Sequence, residues 1–478
     1  MVQIQHYIGG AFHDSQETLA NINPAIGQEI GRIPRADKAQ IGDAVAAASD
    51  ALDEWASLKP EERAHWLELL AKGIESRFDD FCQAEVLDTG KPLSLVKMVD
   101  IPRSIQNLRF YASAALQFSS ESYHGSAGLN YVRRKPRGVA AAISPWNLPL
   151  YLFTWKIAPA LASGTTVVAK PSEVTPTTAF MLSQVCHDIG LPKGVLNIVH
   201  GYGHEAGHEL IVHPKVPTIT FTGGSQTGRG IASLAGGMLK KYSLELGGKN
   251  PSIIFADCDF GKMLTTTVRS SFTNQGQICL CGSRILIERP LFQKFKEAFV
   301  EKASQLVVGD PFDAATNLGS LVSKAHYDKV SGAIDLAKQE GGQCLLGGEA
   351  LSMPPKLQDG YYIGPTIFEG LGPDCQTNQA EIFGPVVTLT PFDTEEEAIA
   401  LANGTEYGLA ANIWTSHLNR AHRMAESIDT GIVWINTWLH RDLRTPFGGM
   451  KSSGVGREGG FEAMKFFTEP KTVCLDLS

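Results

Sequence analysis

Apolar positions along this chain follow two different periods, and the changes between them outline the elements. Residues 1–24 read as short strands. Over 38–58 and again over 60–89 the apolar residues recur at three- and four-residue steps: Ile41, Val45 and Ala48, then Trp66, Leu69, Leu70 and Ile74. Both stretches predict amphipathic helices, and Pro60 followed by Glu61 and Glu62 marks a helix start. From Gly138 the rhythm changes to short apolar runs that end in loop residues. Gly138–Ser144 runs into Pro145-Trp146-Asn147, and Thr165–Ala169 into Lys170-Pro171-Ser172; Val195–Val199 and Thr218–Thr222 follow, with a helical pattern over Thr177–Ile189. Pro251–Ala256 and Arg284–Glu288 open a second series, and residues 391–434 repeat the alternation. Strands alternating with helices predict an α/β fold with parallel sheets and right-handed crossovers. Two segments stand outside this rhythm: the polar stretch 119–137, with Tyr131 and Val132 in a strand-like patch, and Phe466–Leu477. These are expected to pair with each other or with another subunit.

Composition narrows the function classes. A chain of 478 residues has room for two to four domains, and 43% hydrophobic with 19% charged residues is a globular balance. The net charge of −8, with no basic arm, argues against a nucleic-acid partner. No apolar stretch of about 20 residues is present to span a membrane, and the first residues lack the charged and apolar regions of a signal peptide. The eight cysteines are scattered, which fits reduced thiols and a cytoplasmic location. The spacing of Cys279 and Cys281 is not that of a zinc site, and no metal is expected.

Several segments carry chemistry. Two glycine patterns, Gly201-Tyr-Gly-His-Glu-Ala206 and Gly454-Val-Gly-Arg-Glu-Gly459, resemble dinucleotide fingerprints, but the second has no strand immediately before it and lies too near the end for a βαβ unit. Phe221-Thr-Gly-Gly-Ser225 is the better phosphate site, because it follows a strand and Thr227–Leu239 can form a helix whose N-terminus attracts anions. Glu245 is one acid in an apolar run before two glycines. Such a carboxylate has a raised pKa and can serve as a general base, although on its own it could equally be paired with an arginine or a backbone amide. Cys279 follows a glycine turn that can expose a nucleophilic sulfur; Cys281 is its competitor, and a lone cysteine is commonly only a small core residue. The Asn147 amide can donate to an oxyanion or can simply be a turn residue. Lys170 and Glu173, after a strand, can reach a ribose or can be solvated loop residues.

Taken together, these segments resemble the aldehyde dehydrogenase superfamily over nearly the whole chain. The resemblance rests on Pro145-Trp-Asn147, Lys170-Pro-Ser-Glu173, Phe221-Thr-Gly-Gly-Ser225, Leu244-Glu-Leu-Gly-Gly-Lys249, Gly276-Gln-Ile-Cys279, Glu381-Ile-Phe-Gly-Pro385 and Pro446-Phe-Gly-Gly449. It implies a Rossmann-type cofactor domain (1–118 and 138–246), an α/β catalytic domain (247–448), and a β-strand oligomerisation flap (119–137 and 449–478) that makes a homodimer or homotetramer. It further implies NAD-dependent oxidation of an aldehyde to an acid. Cys279 forms a thiohemiacetal and then a thioester, Asn147 and the Cys279 N–H hold the oxyanion, and Glu245 activates the hydrolytic water. Trp146, Lys170, Ser172, Glu173, Gly223, Ser225, Glu381 and Phe383 contact NAD, and Glu458 holds a position linked to proton relay. Gly224 extends the usual turn after Phe221-Thr222. The Glu173 carboxylate would repel a 2′-phosphate, so NAD is favoured over NADP.

Asp100-Ile-Pro-Arg103 and Trp438-Leu-His-Arg-Asp-Leu-Arg444 resemble the members acting on 2-aminomuconic or 2-hydroxymuconic semialdehyde. That likeness implies that Arg103 and Arg441 hold the substrate carboxylates, for which a planar guanidinium fork is suited. Arg441 or Arg444 could instead form a surface ion pair with Asp442. A betaine-aldehyde or broad aliphatic dehydrogenase is the alternative within the family; a thiol esterase or acyltransferase, or a catalytically idle homologue, are the alternatives outside it.

Overall fold

In the computed structural model, which describes residues 2–126 and 128–476, two parallel sheets meet end to end. The first is built on β1 (Ala140–Ile143), β2 (Val167–Lys170), β3 (Leu196–Ile198), β4 (Thr218–Thr222) and β5 (Lys241–Glu245), in the spatial order 5-4-1-2-3. Three short antiparallel strands complete it: Gly454–Val455 beside β5, and His6–Ile8 and Ala11–His13 beyond β3. Strand β1 is Ala-Ala-Ala-Ile, a run that favours helix in isolation. It is a strand because both of its faces are covered. Ala140 and Ala142 pack into one hydrophobic cluster, while Val139, Ala141 and Ile143 pack into another. Val167 and Ala169 against Val168 repeat the division, as expected for a parallel sheet with helices on both sides.

Sequence order reverses at β1: β2 and β3 extend one way, β4 and β5 the other. The registers keep the strand ends level, with Ile143 opposite both Lys170 and Phe221, and Thr222 opposite Glu245. The carboxyl edge between β1 and β4 is therefore a topological switch point, where open α/β sheets bind ligands.

The second sheet contains β6 (Asn250–Ile254), β7 (Gly282–Glu288), β8 (Val386–Phe392), β9 (Ala410–Trp414) and β10 (Ile432–Ile435). Its order is Gln343–Leu346, Thr366–Glu369, β8, β7, β6, β9, β10, parallel except at the first pair. Only Leu246–Lys249 separates β5 from β6, so the chain passes straight from the carboxyl edge of one sheet to the amino edge of the other.

Ser122–Gly125, Gly128–Pro136 and Thr468–Leu475 form a separate antiparallel sheet in which Thr468 faces Pro136 and Leu475 faces Leu129. The two segments that stood outside the β/α rhythm thus pair with each other. The expected end of the last strand, Leu477, lies outside the described residues, as do Met1, Ala127 and Ser478. The rest of 449–478 is placed elsewhere: Gly454–Val455 joins the first sheet, and Gly460–Phe466 is a helix packed on Pro149–Ala162.

One expected element is divided. The helix over 60–89 breaks at Arg77 (φ −116°, ψ 28°) into Pro60–Ser76 and Phe78–Thr89. The first half packs chiefly on α1 (Ile101–Ala115) and also on α2 (Pro149–Ala162), the second reaches the strand Thr18–Asn23, and both halves border Thr177–Asp188, so the chain bends around that helix.

Candidate active site

The site occupies the gap between the sheets. The carboxyl edge of the first sheet supplies Trp146 and Asn147 after β1, Lys170 at the end of β2 and Ser172 after it, Gly223 after β4, and Glu245 at the end of β5. The amino edge of the second supplies Cys279 ahead of β7, and Glu381 and Phe383 ahead of β8. Asn250, the first residue of β6, ties the cysteine loop to this edge: its Nδ2 donates to the carbonyls of Cys279 (2.7 Å) and Cys281 (2.9 Å).

Three consecutive residues before the cysteine lie in the left-handed region: Asn274 (φ 54°), Gln275 (φ 55°) and Gly276 (φ 70°). Gly276 has no alternative, because a Cβ there would lie 2.1 Å from the Gly384 carbonyl oxygen. This turn places Cys279 on the wall shared by two chambers.

The first chamber, about 240 Å³, is bounded by Trp146, Asn147, Gly223, Glu381 and Phe383. Trp146 and Phe383 meet edge to face at 5.3 Å. Phe383 itself has φ 62°, and its carbonyl is 2.7 Å from His326 Nε2. Burial lowers the His326 pKa to about 4, so the ring is neutral, and Nε2 must carry its proton because a carbonyl only accepts. Glu381 accepts the Gly248 N–H at 2.9 Å, and burial raises its pKa. A Cβ on Gly247 would come within 2.1 Å of Glu381 Oε2 and would push this carboxylate out of its present position. Gly224 caps the helix α3 (Ser225–Gly237), and a Cβ on Gly224 would meet nothing, so the helix N-terminus is open to an anion. At the end of β2, Lys170 Nζ lies 3.1 Å from Glu173 and 3.0 Å from the Pro171 carbonyl, while Ser172 Oγ accepts the Val174 N–H. A flat aromatic slot, a carboxylate for hydroxyls and an open helix N-terminus together fit a dinucleotide.

The second chamber, about 260 Å³, is bounded by Arg103, Tyr151, Glu245, Arg441 and Glu458, again with Cys279. Glu245 alternates with Leu244 and Leu246, so it points away from their cluster toward α2. Neither of its oxygens has a hydrogen-bond partner among the described residues. Burial first, and then the nearby Glu458, raise its pKa well above the carboxylate range. Glu458 accepts from Lys156 Nζ (2.6 Å) and from Thr220 Oγ1 (3.0 Å). Burial, together with Glu381 and Glu245, raises the Cys279 thiol, so it is protonated at rest. Cys281 borders neither of the two chambers and packs into the core. Asn147 Nδ2 donates to the Gln277 carbonyl at 3.0 Å; its NH₂ carries a second proton.

Both arginines reach the second chamber. Arg103 is largely buried, and its Nε and Nη2 have no hydrogen-bond partner among the described residues. Arg441 stacks over Phe447, 4.1 Å from the ring centroid, and lies 5.6 Å from that of Trp155. Asp442 is taken by Arg444, at 2.6 Å, rather than by Arg441. The first glycine decoy lies at the end of β3, two strands from the switch point, and the second holds the short strand beside β5 and the buried Glu458. Sequence reading missed Lys156, His326 and Tyr151; none of them sits in a stretch that carries a local signal of a distant partner.

The chain belongs to the aldehyde dehydrogenase family, whose sequence profile matches residues 12–473. It is 46% identical to the 2-aminomuconic semialdehyde dehydrogenase of Bos taurus, over 99% of this chain and 98% of that one. It is also 46% identical to the 2-hydroxymuconic semialdehyde dehydrogenase of Pseudomonas sp. (strain CF600), over the whole of both. An NAD⁺ complex of an aldehyde dehydrogenase from Bacillus cereus superposes with a TM-score of 0.97 at 36% identity, covering 100% of this chain and 97% of that one.

Proposed function

We propose that this enzyme oxidises a carboxylated semialdehyde, of the 2-aminomuconic or 2-hydroxymuconic type, to the corresponding acid with NAD. The observation that carries the reading is the place of Cys279 between a chamber suited to a dinucleotide and a chamber holding one unpartnered carboxylate and two arginines. The names of its relatives point the same way.

Trp146, Phe383 and Glu381 hold the nicotinamide riboside, Gly223 and Ser225 the pyrophosphate, and Lys170, Ser172 and Glu173 the adenosine ribose. When bound, NAD supplies the hydride acceptor. Arg103 and Arg441 anchor the substrate carboxylate, which fixes the aldehyde carbon against Cys279. The sulfur bonds to that carbon as the thiol proton passes to solvent water, the carbonyl π pair moves onto oxygen, and the second Nδ2 proton of Asn147 stabilises the oxyanion. Loss of hydride restores the carbonyl as a thioester. Glu245 then takes a proton from the attacking water, and the sulfur leaves as the acid forms. Glu458 is the neighbouring carboxylate to which the proton passes.

A substrate panel read by NADH absorbance tests this reading. Semialdehydes bearing a carboxylate should lead neutral and cationic aldehydes in kcat/KM; betaine aldehyde in the lead, or acid formed without NADH, would overturn it. The arginines disfavour a cationic substrate.

The flap sheet supports a homodimer or homotetramer, since Thr468–Leu475 leaves one edge without a strand among the described residues. Light scattering should give a multiple of the chain mass. Eight free cysteines fit a reducing, cytoplasmic setting. No helix among the described residues is long and apolar enough to cross a membrane.

A further inference from the structure

The backbone of Asn147 is gripped from behind by a buried ion pair. Lys91 and Asp100 have side chains 1% and 0% exposed, and Lys91 Nζ lies 2.7 Å from Asp100 Oδ2. The same ammonium donates to the Asn147 carbonyl at 2.8 Å. Asn274 Nδ2 donates to that carbonyl at 3.1 Å and to Gln277 O at 3.2 Å, while Gln277 O also receives the Asn147 amide. Asn147 is thus fixed at both ends: its carbonyl by Lys91 and Asn274, its side chain by the residue two places before Cys279. Lys91 borders neither of the two chambers, so it touches neither aldehyde nor dinucleotide.

A buried ammonium persists only where its charge and its donors are met. Asp100 meets the charge and the Asn147 carbonyl takes another proton. A hydrogen bond from an ion is roughly twice as strong as one between neutral groups, so this contact outweighs the neutral one from Asn274. Asp100 closes the π-helical turn Val96–Asp100 that leads into α1, and Arg103 sits one turn further on. One rigid segment therefore carries both the ion that grips Asn147 and a guanidinium of the substrate chamber.

We propose that Lys91, held by Asp100, is a positioning residue for the oxyanion-binding amide of Asn147. The inference rests on the reading of Asn147 given above. It concerns aim: the ammonium fixes the peptide, and the peptide fixes where Nδ2 points. A misplacement of about 1 Å in such a group lowers the rate about 10²-fold.

The experiment is a double-mutant cycle. Lys91→Met combined with Asp100→Leu removes the pair without stranding a charge, a replacement that buried pairs commonly tolerate. Lys91→Gln retains a donor. Each is made with Asn147 intact and with Asn147→Ala, and assayed for aldehyde oxidation and for NAD-independent hydrolysis of 4-nitrophenyl acetate, which forms an oxyanion at the same sulfur. With Asn147 present, the pair replacement should lower kcat for both reactions about 10- to 100-fold, leave KM for NAD unchanged, and be partly rescued by Lys91→Gln. In the Asn147→Ala background it should have almost no further effect. Losses that multiply in that background, or an unchanged kcat with Asn147 intact, would overturn the proposal. Should Asn147→Ala alone leave both reactions intact, the reading of Asn147 itself fails and takes this inference with it, an outcome distinct from a failure of Lys91 alone. Misfolding of the pair replacement would leave Lys91→Gln to decide, by the same comparison of backgrounds.

Discussion

Glu458 and Glu245 share a buried chamber, yet only Glu458 has a counter-ion, the ammonium of Lys156 at 2.6 Å. For Glu245, burial and then the neighbouring Glu458 outweigh the pull of Lys156, Arg457 and Arg441 and favour its protonated form. Under the proposed mechanism deacylation uses its carboxylate, so turnover should be low at acidic pH and rise as pH passes through that raised pKa. Glu245→Gln should keep the first burst of NADH but lower steady-state turnover about 10²- to 10⁴-fold, with acyl-enzyme visible by mass spectrometry. The stability effect has a fixed sign. The folded state holds this proton more tightly than the unfolded one, so the contribution is present below the unfolded pKa and lost as pH rises through the folded one. Glu245→Gln should therefore raise Tm at alkaline pH and leave it unchanged in acid.

The two neighbouring cysteines should separate cleanly. Cys279→Ala should abolish both oxidation and ester hydrolysis. Cys281→Ala, in the core beside Thr273, should retain kcat within a few-fold. Because the Cys279 thiol is raised by burial and by Glu381 and Glu245, its alkylation by iodoacetamide should be slow at neutral pH and accelerate with pH. Rapid labelling at neutral pH would mean a thiolate already present at rest.

Arg444 holds both oxygens of Asp442, Nε on Oδ1 and Nη2 on Oδ2, which leaves Arg441 to face the chamber over Phe447. Arg441→Ala should lower kcat/KM for a carboxylated semialdehyde about 10- to 100-fold, the effect of one lost charge-assisted hydrogen bond pair. For a neutral aldehyde of similar length the change should be small. Arg441→Lys should recover only part, since the fork is lost. Arg444→Ala should leave both substrates unaffected. Equal losses on charged and neutral aldehydes would count against carboxylate recognition.

Sequence reading was strongest where the physics is local. The run Ala140–Ile143 could be read as a strand despite its alanines, because it is short, wholly apolar and ends in Pro145-Trp-Asn147. Cys279 and Glu245 were singled out by their glycine-flanked segments, and both border the second chamber. Contacts across the chain were not legible. Lys156 lies in an apolar helix, 302 positions from its partner Glu458. The break at Arg77 was also hidden, since the helical periodicity continues through it and the helix Thr177–Asp188, around which both halves bend, lies about 100 positions away in the chain. The left-handed residues Asn274 and Gln275 gave no signal, because neither is a glycine.

Cofactor choice should follow Glu173, whose carboxylate lies 3.1 Å from Lys170 Nζ. Glu173→Ser removes the charge that opposes a 2′-phosphate and leaves Lys170 able to attract one. KM for NADP should fall about 10-fold while KM for NAD rises. Unchanged KM values for both would place the adenosine ribose elsewhere.

The contact of Gly276 with the Gly384 carbonyl bears on how this enzyme can be altered. A side chain at 276 would push on the segment carrying Glu381 and Phe383 while also moving Cys279, so sulfur and nicotinamide would lose their alignment together. New substrate preferences are better sought at the far rim, among Met98, Gln106 and Leu439. There a change of size or polarity reshapes the entrance while the reacting centre keeps its footing.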